Sequence, residues 1–171
     1  VEAADIICVA SKELPGRKVI LSCDRDFCQL ISDSINFFYL TKKELLTGEA
    51  DCQRVFGLTP KQYLHKRILT GDTSDNISGV YGIGEKTAEA IVKRVGTTDP
   101  SELIKYYDWL KSDRRMGLVF GKRATEIIAL NTKLMDLTYD YKRKRDSILP
   151  KLRLNNRPPD FMEFRKQLVK Y

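Results

Sequence analysis

An α/β arrangement giving way to a helical region is the fold this sequence predicts, on three observations. Two short apolar runs, KVILSC at 18–23 and INFFYL at 35–40, alternate with segments of helical periodicity. From about residue 50 onward the pattern is helical throughout. Between two of those helices lies a Gly-, Ser-, Asn- and Asp-rich loop that begins at residue 71. The 171 residues, 42% of them apolar, have room for one ordinary core. No apolar run approaches the ~20 residues that span a bilayer, and no signal-peptide pattern opens the chain. A chain that opens on Val1 and runs straight into amphipathic sequence reads as the C-terminal part of something longer.

Taken in order, residues 1–12 place Glu2, Asp5, Ile6, Val9 and Ala10 at helical spacing, a helix cut off by Pro15-Gly16. The strand at 18–23 ends in Asp24-Arg25-Asp26, a short helix is expected over 27–31, and a second strand over 35–40. Helix, strand, helix, strand in this order suggests parallel pairing. Leu58-Thr59-Pro60 is a helix-start signal, with Thr59 as N-cap and Pro60 at the first helical position, and the helix ends at Gly71. Another helix runs from 84 to 95, stopped by Gly96. Further helices are expected over 101–110 and 122–134, the latter with Ile127, Ile128, Leu130 and Leu134 as a core stripe. Pro158-Pro159 precedes a last amphipathic helix with Phe161, Phe164 and Leu168.

Cys8, Cys23, Cys28 and Cys52 form no CxxC pair, and the single histidine, His65, cannot complete a usual zinc set. Buried, reduced thiols are expected. The net charge of +7 is unevenly placed: residues 1–140 balance at 20 basic and 20 acidic, whereas 141–171 hold 10 basic and 3 acidic. The run Lys142-Arg143-Lys144-Arg145, followed by Lys151, Arg153 and Arg157, is a candidate polyanion contact, or else a solvated surface segment.

Acids recur where such a fold would gather them. Glu2 and Asp5, three apart, share a helix face. Asp24 and Asp26 flank the C-terminal end of a strand, the edge where open parallel sheets bind ligands. Asp72 and Asp75 sit in the loop between helices. Each pair alone has an ordinary reading as dipole complement, turn chemistry or loop cap. Together they suggest hard oxygen ligands for one or two Mg²⁺ or Mn²⁺ ions, since clustered carboxylates repel unless a cation neutralises them. Two such ions ~4 Å apart can activate a water against a phosphodiester.

The glycines of GVYGIGEKTA, residues 79–88, stand where backbone comes close to something or adopts positive φ. The amides of Gly82, Gly84 and Glu85, with Lys86 adding charge, would point at one phosphate oxygen at a helix N-terminus. Such a contact positions a duplex and reads no sequence. Simple packing chemistry is the alternative, and carbonyls of the same turn can hold a monovalent cation such as K⁺. A metal site beside a phosphate-gripping turn reads as a nuclease.

The ordered set VEAAD (1–5), SCDRDFCQL (22–30) and GDTSDNISGVYGIGEKTA (71–88) resembles the 5′→3′ exonuclease/flap endonuclease family, which includes the nuclease domain of bacterial DNA polymerase I and phage ribonuclease H-type enzymes. The likeness spans roughly residues 1–135. It implies a PIN-like parallel-sheet nuclease core, whose C-terminal part is 1–48. A helical region with a helix–three-turn–helix motif follows at 49–140, then a basic tail with a final helix at 141–171. It implies Mg²⁺-dependent hydrolysis of 5′ flaps or RNA primers in replication. The implied metal set is Glu2, Asp5, Asp24, Asp26, Asp72 and Asp75, with Asp24, Asp26, Asp72 and Asp75 catalytic. The implied DNA-binding residues are Gly82, Ile83, Gly84, Glu85, Lys86 and Thr87, joined by the 142–145 run.

By the same resemblance the partners are branched or nicked duplex DNA, an RNA–DNA hybrid, and a polymerase or single-strand-binding protein. The setting is a monomer in bacterial or phage-infected cytoplasm, with no membrane. In two respects the chain departs from the family pattern. The first motif has Ala4 where a second acid is expected, with Asp5 about 100° further round the helix. The family's first aspartate-bearing strand and strand-threading arch would lie upstream of Val1. Duplex binding with little cleavage is therefore expected of this chain, and a non-catalytic duplex-binding module is the alternative.

Overall fold

Ala3–Glu13 forms α1, opened where the Glu2 N–H donates to the Asp5 carboxylate at 3.2 Å and closed before Pro15. The computed structural model describes residues 2–95 and 122–153. β1 (Lys18–Ser22) follows, then a 3-10 segment (Arg25–Leu30) and β2 (Ile35–Tyr39). β1 and β2 pair in parallel, from Lys18 opposite Ile35 to Ser22 opposite Tyr39. A parallel pair needs a crossover, and here the 3-10 segment supplies it, burying Phe27, Cys28 and Leu30.

β3 (Glu44–Leu46) returns antiparallel on the far side of β2, with Phe37 opposite Leu46. It is reached through Lys43 at φ 55°. The order β1-β2-β3 leaves β1 at an edge among the described residues. One sheet face is core, through Ile20, Ile35, Phe37, Tyr39 and Leu46; Val19, Leu21 and Leu45 are exposed on the other.

The rest is helical: α2 (Glu49–Phe56), α3 (Pro60–Thr70), α4 (Glu85–Val95), α5 (Lys122–Met135) and α6 (Tyr141–Ile148), closed by a 3-10 turn at Leu149–Lys151. α3 begins as expected, with the Thr59 hydroxyl accepting from the Gln62 N–H and the Gln62 side chain accepting from the Thr59 N–H. α3 is the hub, packing on α2, α4, α5 and the 3-10 segment. One buried cluster runs from Cys8 through the sheet to Ile128 and Leu137. The stripe expected on α5 is corrected in part: Ile128 is fully buried, but Leu130 and Leu134 are each 55% exposed. The helices expected over 101–110 and after Pro158 lie outside the described residues. Among the described residues no helix is long and apolar enough to cross a membrane.

α6 is tied back to α1 across nearly the whole sequence. Tyr141 donates its hydroxyl to Glu13 at 2.8 Å, Arg145 pairs with Glu13 at 3.0 Å, and Lys144 pairs with Asp5 at 2.8 Å. The thiols of Cys8, Cys28 and Cys52 are buried as expected; Cys23 is exposed.

Candidate functional site

The acid loop between α3 and α4 is pinched at its neck. Two-residue strands β4 (Gly71–Asp72) and β5 (Ile77–Ser78) pair antiparallel there. Gly71 stands at φ 72°, and a side-chain carbon on it would meet the Ile77 carbonyl at 2.3 Å. One on Gly79 would meet the Thr70 carbonyl at 2.3 Å. From α5, the fully buried Asn131 donates to the carbonyls of Ile68 and Ser78, at 2.9 Å each, clamping the helix end to the returning strand. The loop is thereby closed at its neck, with Asp72 at one root and Asp75 in the turn beyond it.

Asp24, Asp26, Asp72 and Asp75 line one cavity of about 400 Å³, together with Cys23, Arg25, Arg67 and Ser74. Asp24 and Asp26 arrive from the C-terminal end of β1, where the Asp24 carboxylate accepts from the Asp26 N–H at 2.9 Å. Asp72 accepts from the Ser74 N–H at 2.8 Å and from its hydroxyl. Arg67, in the last turn of α3, lies between the two halves. Its Nε donates to Asp26 Oδ1 at 3.2 Å, and its Nη2 donates to Asp72 Oδ2 and, at 3.5 Å, to Asp26 Oδ2.

Burial pushes the Asp26 carboxyl above the usual carboxylate range, and the Arg67 charge opposes this without reversing it. Burial acts in the same direction on Asp72. There, hydrogen bonds from Ser74 and Arg67 outweigh it and hold the carboxyl at about 2. Arg67 itself is held more firmly protonated: burial works against its charge, but the two carboxylates outweigh burial.

The expected metal set therefore divides. Glu2 is exposed and lines a neighbouring cavity of about 590 Å³, which shares Asp75 with the first. Asp5 does not join the cluster. Its carboxylate accepts from the Glu2 N–H and from Lys144 instead of lining the first cavity. Burial acts to raise its carboxyl, and the Lys144 contacts pull it below the usual range. Among the described residues no three His, Cys, Asp or Glu side chains stand close enough to hold a metal ion as they are, and the Arg67 guanidinium lies between Asp26 and Asp72. The donor chemistry still fits a hard divalent cation: four carboxylates rim a polar, accessible cavity.

Arg67 and Asn131 are the residues that sequence reasoning missed. A basic side chain in the last helical turn reads as dipole complement, and a lone Asn on a helix reads as surface.

Beyond the loop, Gly82 stands at φ 81°, the Ile83 N–H donates to the Val80 carbonyl at 3.0 Å, and α4 starts at Glu85. Ile83 is buried, so its side chain belongs to the core; Gly82, Gly84, Glu85 and Lys86 are exposed and Thr87 half-buried. Glu85 pairs with Lys66 of α3 at 2.5 Å. One helix, α3, thus carries Arg67 to the acid cavity and steadies the turn through the adjacent residue.

The basic run divides as well. Lys144 and Arg145 are taken up by Asp5 and Glu13, and Arg143 pairs with Asp140 at 2.5 Å, while remaining 81% exposed. Lys142 is exposed.

Paired acids at the end of a parallel strand thus share one cavity with the acids of a glycine-pinched loop, beside an exposed helix start, on an α/β scaffold. Residues 58–155 match the family model described as 5′-3′ exonuclease, C-terminal SAM fold, and the chain belongs to that family. It is 36% identical over 161 residues to a thermostable DNA polymerase I of Thermus thermophilus, matching 89% of this chain and 18% of that protein. It is 44% identical over 97 residues to a 5′-3′ exonuclease of Buchnera aphidicola, 55% of this chain and 33% of that one. The chain thus spans only a minor part of these relatives. A bacteriophage T5 flap endonuclease, solved as a pseudo-enzyme–product complex with DNA and metal ions, superposes with a TM-score of 0.62. It shares 21% identity over 86% of this chain and 57% of that one, a likeness that establishes the fold.

Proposed function

We propose that this chain is the acid-loop and duplex-gripping portion of a divalent-metal-dependent 5′→3′ exonuclease or flap endonuclease. Its substrates would be phosphodiesters of 5′ flaps or RNA primers in DNA replication. The observation that carries this reading is the convergence of Asp24, Asp26, Asp72 and Asp75 on one cavity. In this reading residues 1–48 are part of a PIN-like core, 49–140 hold a helix–three-turn–helix motif, and 141–171 are a basic tail whose first helix, α6, is tied to α1.

Asp24, Asp26, Asp72 and Asp75 would hold the cation, with Glu2 contributing from the adjoining cavity. A bound divalent cation supplies Lewis-acid stabilisation to a phosphodiester under attack. The exposed amides of Gly84 and Glu85 would seat a backbone phosphate, Lys86 adding charge, and Lys142 and Arg143 would extend the contact. The pinched loop neck keeps the acids in register with that grip.

A non-catalytic duplex-binding module is the second reading. It is favoured by Ala4 in the first motif and by the Asp5–Lys144 pairing that withdraws the neighbouring acid. Calorimetric titration with Mn²⁺ separates the two. Saturable heat in the wild type that is lost in Asp75→Asn, an exposed position where the change costs little stability, supports the nuclease reading. Flat heats alongside retained binding of a 5′-flap duplex favour the module.

A further inference from the structure

The acid cavity contains a cation of the protein's own. Arg67 bonds both oxygens of Asp26 and Oδ2 of Asp72, and Ser74 takes the remaining Asp72 oxygen, so all four oxygens of these two carboxylates are already accepting. A divalent cation coordinates those same lone pairs. We propose that Arg67 is a resident counter-ion that the cation must displace from Asp26 and Asp72, so that this one side chain sets how tightly the site loads. The inference rests on the metal-binding reading above and adds to it the competitor.

Three features support competition rather than simple bracing. The Arg67 side chain is only 18% exposed, and it reaches one acid from the strand end and one from the loop, so it stands between the two halves of the acid cluster. The Asp26 side chain is only 24% exposed, so a positive charge standing against it is poorly screened by water. Arginine remains charged at every accessible pH, so the exchange is one cation for another and needs no proton release.

The test is Mn²⁺ calorimetry on wild type, Arg67→Gln and Arg67→Lys, with folding verified by circular dichroism. Removing the competing charge should tighten binding in Arg67→Gln by on the order of tenfold, with Arg67→Lys between it and wild type. In parallel, the Arg67 Nε–Hε NMR signal of the wild type should shift toward that of solvated arginine on Mg²⁺ addition and saturate with site occupancy. Equal or weaker affinity in Arg67→Gln, or an Arg67 signal that stays put while heat saturates, overturns the inference and leaves the metal site standing. Absence of saturable heat in all three proteins removes the metal site and the inference together. If the Gln variant does not fold, the wild-type signal and the Lys variant decide.

Discussion

Gly71 and Gly79 face each other's neighbouring backbone across the neck of the acid loop, so closely that neither site has room for a side-chain carbon. The obstructing atoms are main-chain atoms of Thr70, Ile77 and Ser78, which cannot swing aside. Gly79→Ala should therefore cost roughly 2–3 kcal/mol by denaturant unfolding, in the range of overpacking. Gly84→Ala, where a side chain meets open space, should cost far less. Equal losses at the two positions would refute the pinch.

Asn131 is the second fastening of that loop. Asn131→Ala leaves the Ile68 and Ser78 carbonyls without their donor, for a loss of about 2–3 kcal/mol. Asn131→Asp should be at least as damaging, since an ionised carboxylate accepts and cannot donate. Hydrogen exchange of the amides over residues 71–79 would report the loosening, and unchanged protection would count against the clamp.

Acid titrations should separate the two carboxylates that share Arg67. The Asp72 carboxyl is held at about 2, below its unfolded value of ~3.9. Its stabilisation is therefore complete above about pH 4 and disappears as pH falls toward 2, a contribution on the order of 1–2 kcal/mol. Asp26 is shifted the other way, so its ionisation costs stability as pH rises above the ordinary carboxylate range. At pH 7, Asp72→Asn should destabilise more than Asp26→Asn, and the Asp72 variant should show the flatter stability profile between pH 2 and 4.

Lys86 and Lys144 should answer a salt titration differently. If the exposed Lys86 meets a phosphate, Lys86→Ala should flatten the plot of log K against log[salt] for duplex binding by about one contact. Lys144→Ala should leave that slope alone and instead cost about 1 kcal/mol of stability, because Lys144 serves Asp5. A slope change at Lys144 would reverse this assignment.

Much of the scaffold was legible because its signals are local. Thr59-Pro60 marks the start of α3 unaided, and the apolar runs before Asp24 and over INFFYL mark the parallel strands. What escaped depends on partners distant in sequence. β4 and β5 have two residues each, too few for any periodicity, and exist because Gly71 and Gly79 permit close approach. Three-residue β3 is defined by its pairing with β2. The convergence of Asp24, Asp26, Asp72 and Asp75 was visible as a pattern of residue types. The roles of Arg67, Asn131 and Lys144 were not, since a single polar side chain on a helix carries no periodic signature of what it will meet.

Cys8 and Glu13 in the first helix find their bonding partners 129 and 128 positions later, at Leu137 and Tyr141. During synthesis, then, α1 lacks these contacts until the ribosome has delivered α6, and closing so long a span is slow. Chains interrupted before residue 137 would leave Asp5 and Glu13 on that flank of α1 without the cations and the hydroxyl that meet them in the folded protein.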